Sequence, residues 1–155
     1  MQIKINSLKD SENLAQILAQ FAGPNQAILF NGPLAAGKTT ITKLLLTALG
    51  YKGLVTSPTF VIMNQYQCPN ELIVNHFDFY RLLDKISPEE AEMYLDAAND
   101  CYNIIEWPAP IKQYLPLTWV ITELTIEVLS TGRLINISTT NPELLAKLEE
   151  EFYHE

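Results

Sequence analysis

The sequence predicts a three-layer α/β sandwich around a mixed β-sheet, and three observations carry that prediction. The apolar run at residues 27–30 leads into Gly32-Pro-Leu-Ala-Ala-Gly37-Lys38-Thr39 and then into a helical pattern from Thr39 to Leu49, a strand–turn–helix order. A second apolar run, residues 102–106, follows another helical segment, so strands and helices alternate as parallel units require. The other strand-like runs come in pairs joined by turn residues, which adds antiparallel hairpins. With 155 residues, 48% hydrophobic and 18% charged, the chain is expected to form one domain, 1–155, with a full core.

Residues 2–5 alternate and read as a short edge strand. Ser7 or Asp10 caps the next helix, whose apolar face is Leu14, Ile17, Leu18 and Phe21, and Gly23-Pro24 ends it. After the strand at 27–30 and the glycine loop, Ile41, Leu44, Leu45 and Leu49 form the sheet-facing side of a helix that Gly50 stops. Pro58 forces an extended path and interrupts any ladder. Residues 60–67 then read as a strand, Cys68-Pro69-Asn70 as a turn and 72–78 as the hairpin partner.

Ser87-Pro88-Glu89-Glu90 marks a helix start, with Ser87 as cap, Pro88 in the first turn and Glu90 closing a capping box; the helix runs to about Ala97. Strand 102–106 is stopped by Trp107-Pro108, and a proline-spaced loop leads to Pro116. Residues 119–129 and 134–138 form a hairpin about Ser130-Thr131-Gly132-Arg133. Asn141-Pro142 opens a last helix with Leu144, Leu145, Leu148 and Phe152 on one face.

The spacing Gly32, four residues, Gly37, Lys38, Thr39 is that of a phosphate-binding loop, or P-loop. Its glycines let successive N–H groups curl toward one anion. The helix behind adds unpaired N–H groups and a positive dipole end. Lys38 can bridge β- and γ-phosphates, and the Thr39 hydroxyl can hold Mg²⁺. Such a loop also needs an acid at the end of a neighbouring strand, to hold metal or orient water. Asp78 and Glu106 both end strands, and spacing alone leaves their division of roles open. His76, inside a buried strand, reads as a core histidine. Tyr80, Arg81, Trp107, Ser57 and Thr59 each have a local packing or turn reading.

Net charge is −8 and unevenly spread. Residues 1–70 hold five lysines against Asp10 and Glu12, whereas residues 71–155 hold five basic groups against sixteen acids. Unaided binding of tRNA or DNA is disfavoured, so any nucleic acid is expected to be reached through a partner or through the small basic half, residues 1–70. No apolar run approaches the ~20 residues of a membrane span and no apolar signal core opens the chain, so no membrane association and a cytoplasmic location are expected. Cys68 and Cys101 are isolated and read as reduced structural thiols.

The sequence resembles the TsaE (YjeE-type) family of small P-loop ATPases, which take part in forming threonylcarbamoyladenosine (t6A) at adenosine 37 of tRNA. Five ordered blocks carry the resemblance: residues 32–40, Ser57-Pro58-Thr59, His76-Phe77-Asp78-Phe79-Tyr80-Arg81-Leu82, Ile105-Glu106-Trp107-Pro108 and Gly132-Arg133. It implies a P-loop NTPase-like mixed sheet with an antiparallel C-terminal extension, ATP or ADP and Mg²⁺ as ligands, and TsaD and TsaB homologues as partners, with tRNA met only indirectly. By the same resemblance Glu106 binds Mg²⁺ beside Thr39, and Asp78 is needed for hydrolysis. Ser57 and Thr59 belong to a switch-like loop near the γ-phosphate, and Trp107 and Arg133 approach the nucleotide.

The expected catalytic residues are therefore Lys38, Thr59, Asp78 and Glu106. The expected nucleotide contacts are Gly32, Pro33, Leu34, Ala35, Ala36, Gly37, Lys38, Thr39, Thr40, Trp107 and Arg133, with Thr39 and Glu106 on the metal. The family usually has an acid and a glycine where this chain has Pro33 and Ala35. Pro33 withholds an N–H and Ala35 gives up positive-φ freedom, departures that bear on turnover more than on binding. Two other functions fit a phosphate loop. A small-molecule kinase would need several arginines over the transferring phosphate, and this chain has only Arg81 and Arg133. A nucleotide-sensing module with negligible turnover would accommodate Pro33.

Overall fold

Strand β2 (Gln26–Asn31) lies at the centre of the sheet because both its faces are covered, and four of its six residues are fully buried. Around it, in chain order, are β1 (Gln2–Ile5), α1 (Leu8–Gln20), α2 (Lys38–Ala48), β3 (Met63–Gln67), β4 (Ile73–Asp78), α3 (Pro88–Ala98), β5 (Tyr102–Glu106), α4 (Ala109–Lys112), β6 (Val120–Val128), β7 (Arg133–Thr139) and α5 (Pro142–Phe152), with a 3₁₀ turn at Tyr80–Leu82. The computed structural model describes residues 1–153, so the last two residues of the expected domain lie outside the described ones.

The seven strands are ordered β1-β7-β6-β2-β5-β4-β3. β6, β2, β5 and β4 are mutually parallel and form the middle. β7 and β1 extend one side antiparallel, and β3 closes the other as a hairpin with β4. The expected mixed sheet is present, and β6 joins its parallel centre while β7 supplies the antiparallel C-terminal strand. Register brings Phe30 opposite Glu106 and Asp78 opposite Glu106, so three strands end together at the phosphate loop.

Alternation along the parallel strands divides the core in two. Ile28, Phe30, Val74, Tyr102 and Ile104 face α1, α2 and α5, whose Leu14, Leu18, Leu45, Leu46 and Leu148 pack on them. Ala27, Leu29, Phe77 and Ile105 face the layer of α3 and α4. Each of these leucines contributes about 1.5–3 kcal/mol on burial. By the same alternation His76 and Asp78 share the face of Val74, and Glu106 shares that of Ile104, which is the α2 side.

Local chemistry sets the helix ends. Ser7 accepts from Asp10 N at 3.2 Å while Asp10 Oδ2 accepts from Ser7 N at 3.1 Å, a reciprocal cap on α1. Asn141 caps α5 by accepting from Glu143 N and Leu144 N. Ser87 caps α3, but the Glu90 carboxylate meets the Ser87 hydroxyl at 3.3 Å and no reciprocal bond to the cap's N–H forms.

Two expected elements differ. The strand expected from residue 60 starts at Met63, because Val61 N and Ile62 N both donate to the Pro58 carbonyl and fold the chain into a turn. The proline-spaced loop contains α4: Pro108 and Pro110 occupy positions whose N–H a helix start does not need, and Ile111 N and Lys112 N donate to the Pro108 carbonyl. On the α3 side, Asn103 is fully buried and donates from Nδ2 to the carbonyls of Gln26, Ala98 and Cys101 at 3.0–3.1 Å, while its Oδ1 accepts from Asn75. This amide pair fastens the end of α3 to three strands' worth of backbone.

Candidate functional site

The loop between β2 and α2 is built on backbone conformations that few residues adopt. Gly32 has φ +151, and a Cβ there would lie 2.9 Å from the Ile126 carbonyl oxygen, so glycine alone fits against β6. Gly37, at φ +107, is the N-cap of α2 and offers no side chain to the first-turn N–H groups. Those donors are directed out of the helix end, ready for an anion. Between the glycines, Ala35 sits at φ 62. The left-handed conformation is kept with an alanine in it, at a cost of about 1 kcal/mol. The Pro33 carbonyl accepts from Ala36 N at 3.2 Å, so the turn closes without an N–H from residue 33.

Lys38 is 5% exposed. Its Nζ donates to the Gly32 carbonyl at 2.6 Å and lies 3.6 Å from the centroid of the Trp107 ring. Burial pushes its pKa below the ordinary lysine value, and the charges of Glu106 and then Asp78 pull it partly back. Trp107 is itself at φ 53, a strained conformation for a large residue, and its ring also tilts against Tyr80 with centroids 5.0 Å apart.

The two acids occupy different networks. Glu106 Oε1 accepts from the Thr39 hydroxyl at 3.3 Å, and Oε2 accepts from His76 Nε2 at 2.5 Å. Asp78 Oδ2 accepts from the Thr59 hydroxyl at 2.9 Å, and Oδ1 from Tyr80 N at 2.9 Å. The Ser57 hydroxyl is 2.8 Å from that of Thr59, and Asp78 N donates to the carbonyl of Ile62, another residue at positive φ. Asp78 is thus the anchor of the loop that carries Ser57 and Thr59, while Glu106 faces the helix.

These groups enclose a cavity of about 360 Å³ lined by residues 34–40, Ser57, Thr59, Asp78, Glu106 and Trp107. Of the residues expected at the site, Gly32 and Pro33 shape the loop from behind and Arg133 lies apart. Arg133 Nε donates to the Ala36 carbonyl at 3.1 Å, and its side chain lines a second cavity of about 320 Å³ across the loop. The two spaces share Ala36, Gly37 and Thr40. The second is walled by Ile5, Asn6, Ser7, Leu8 and Ser11, which sequence reasoning read only as a strand end and a helix cap. His76 was expected as an ordinary core histidine; it is fully buried, but its partner is Glu106, and Nδ1 has no hydrogen-bond partner among the described residues. Period-two alternation of His76 with Asp78 was the available signal.

A parallel β2–loop–α2 unit with Lys38 and Thr39 at the helix head and acids on the two adjoining strands defines a P-loop NTPase-like α/β protein. The sequence model of the family described as threonylcarbamoyl adenosine biosynthesis protein TsaE matches residues 5–135. The chain is 36% identical over 143 residues to the tRNA threonylcarbamoyladenosine biosynthesis protein TsaE of Rickettsia conorii, an alignment covering 90% of this chain and 78% of that one. It is 34% identical over 119 residues to the protein of that name from Haemophilus influenzae, covering 73% and 72%. The crystal structure of YdiB from Bacillus subtilis has the same fold, with a TM-score of 0.71 and 22% identity over 97% of this chain and 95% of that one. The chain belongs to the TsaE family.

Proposed function

We propose that this protein binds Mg²⁺ and ATP at the head of α2 and hydrolyses the nucleotide in the service of t6A formation at adenosine 37 of tRNA, with TsaD and TsaB homologues as partners. The observation that carries the reading is convergence: Lys38, Thr39, Asp78 and Glu106 arrive from one helix and two strands at a single cavity. The phosphates are taken by the N–H groups of residues 34–40 and by Lys38, whose ammonium has donors beyond the one used on Gly32. Arg133 and the second cavity serve the nucleoside side of the loop, and Trp107 borders the phosphate side.

The donor set at Thr39 and Glu106 suits Mg²⁺: both supply hard oxygens, on side chains already within 3.3 Å of each other. An ion held there would take most of its other ligands from phosphate and water. Mg²⁺ bound there would neutralise charge developing on the β- and γ-phosphate oxygens. Asp78 orients the attacking water, and Thr59, bonded to Asp78, reports the loop's position to it. With net charge −8, tRNA is reached through the partner proteins. No helix of the described residues is long and apolar enough to cross a membrane.

The test is phosphate release by the purified chain, alone and with the TsaB and TsaD homologues, beside calorimetric titration with ATP. Slow release alone and faster release in the complex are expected. ATP binding with release at background under both conditions would replace hydrolysis by a sensing role; absence of binding would remove the nucleotide reading altogether.

A further inference from the structure

The geometry points to His76 as a positioning residue that sets the Glu106 carboxylate for the divalent cation. This rests on the reading of Glu106 as a cation ligand and adds a residue with a role of its own. His76 is two residues before Asp78 on β4, its Cα opposite Ile104, so its ring lies diagonally across from Glu106 on the same face. It is wholly buried, Glu106 is 3% exposed, and Nε2 meets Oε2 at 2.5 Å.

A carboxylate only accepts, so Nε2 is the donor. Nδ1 has no partner among the described residues, and the tautomer carrying its hydrogen on Nε2 leaves no buried N–H unpaired. That ring therefore fixes one oxygen of Glu106 and cannot reach the other. Oε1 is left facing Thr39 at 3.3 Å, the direction from which a cation shared with the Thr39 hydroxyl would approach. Without His76, the carboxylate rotates about its terminal bond, which is broad and two-fold, and Oε1 loses its fixed place. A buried acceptor would also lose its donor. His76 thus orders the ligand before the cation arrives, as outer-shell donors do for ligating groups.

The experiment titrates Mn²⁺ into the chain saturated with ADP and counts free Mn²⁺ by its electron paramagnetic resonance signal, with ADP affinity measured separately in EDTA. In His76→Leu the Mn²⁺ dissociation constant should rise about 10- to 100-fold while metal-free ADP affinity stays as in the native chain. His76→Gln, which places an amide N–H near the position of Nε2, should restore Mn²⁺ binding. A His76→Leu chain with native Mn²⁺ affinity overturns the role. So does a loss of ADP affinity that is equal with and without metal, since that is general disruption, and so does a His76→Gln chain as weak as His76→Leu. If His76→Leu fails to fold, His76→Asn, whose shorter amide withdraws the donor, takes its place against His76→Gln with the same outcomes. Failure of the native ADP complex to bind Mn²⁺ removes the cation site itself, a result distinct from failure of the His76 variants alone.

Discussion

The Lys38 ammonium rests 3.6 Å from the centroid of the Trp107 ring, so the cation that would meet phosphate is stored against an aromatic face. A desolvated contact of this kind is worth about 2 kcal/mol, and on the proposed reading it would be exchanged for phosphate oxygens on nucleotide binding. Trp107 should therefore report binding by its fluorescence. The chain has two tryptophans, and Trp119 lies buried in the other core layer, so a Trp119→Phe variant isolates the signal. Saturating ATP should shift its emission, and Lys38→Ala should abolish both the shift and tight binding. Calorimetric binding with no change in emission would show that the pair is not exchanged.

Glu106 and Asp78 should fail differently when replaced. Glu106→Ala faces Thr39 and should weaken nucleotide binding only when Mg²⁺ is present. Asp78→Ala should leave binding largely intact and remove hydrolysis. It also deletes the acceptor of Thr59, so limited proteolysis should cut residues 53–62 faster than in the native chain. Swapped phenotypes in binding and phosphate-release assays would reverse the division of roles.

Burial holds the Lys38 pKa below its ordinary 10.5. Between the lowered value and 10.5, the folded chain binds fewer protons at this group than the unfolded chain does, so its contribution to stability rises with pH across that interval. Nucleotide phosphate acts in the opposite sense, favouring the charged ammonium. ATP affinity should begin to fall on the alkaline side before pH 10.5, and binding there should take up protons. Calorimetry in buffers of different ionisation enthalpy measures that uptake, and an affinity flat to pH 10.5 would contradict it.

The central unit was legible because each of its features depends on local chemistry. Strand 102–106 was bounded as found, the Ser7 cap was one of the two expected, and Gly32, Gly37, Lys38 and Thr39 announce their loop by spacing alone. The neighbourhood of Pro58 misled because apolar Phe60 and Val61 resemble a strand start, yet they are 84% and 63% exposed in a turn closed on the Pro58 carbonyl. The His76–Glu106 contact joins residues from two strands whose adjacency depends on sheet order, and no local pattern encodes sheet order. Arg133 was placed at the loop by resemblance, but that it holds the Ala36 carbonyl and faces a second cavity is a fact of packing.

Ala35→Gly should stabilise the protein by up to about 1 kcal/mol, because glycine relieves the left-handed strain at φ 62 by more than it adds to the entropy of the unfolded chain. The sign is opposite to that of the same exchange within a helix, where about 1 kcal/mol is lost. Urea denaturation decides the matter, and destabilisation by Ala35→Gly would mean that the alanine methyl supports the loop.

Asn103→Leu should cost about 2–4 kcal/mol, since it strips a donor from the carbonyls of Gln26, Ala98 and Cys101 and leaves Asn75 Nδ2 with the Ala97 carbonyl as its remaining acceptor. ATP affinity of the molecules that remain folded should be unchanged, because the network lies on the sheet face opposite α2. A denaturation midpoint equal to that of the native chain would show that the amides are replaceable.

The pairing of Phe30 with Glu106 makes the site an all-or-nothing product of folding. A slip of one residue between β2 and β5 would turn Glu106 to the α3 side of the sheet and leave an isoleucine or tryptophan in its stead. Thr39 and Glu106 are 67 positions apart in the chain, so no short fragment contains both halves of the proposed cation site. A newly made molecule therefore becomes responsive to its ligand only when its central strands are correctly threaded. A nucleotide bound there would in turn deepen the native basin by RT ln(1 + [L]/Kd), so that the ligand proposed for the site would also protect finished copies from unfolding.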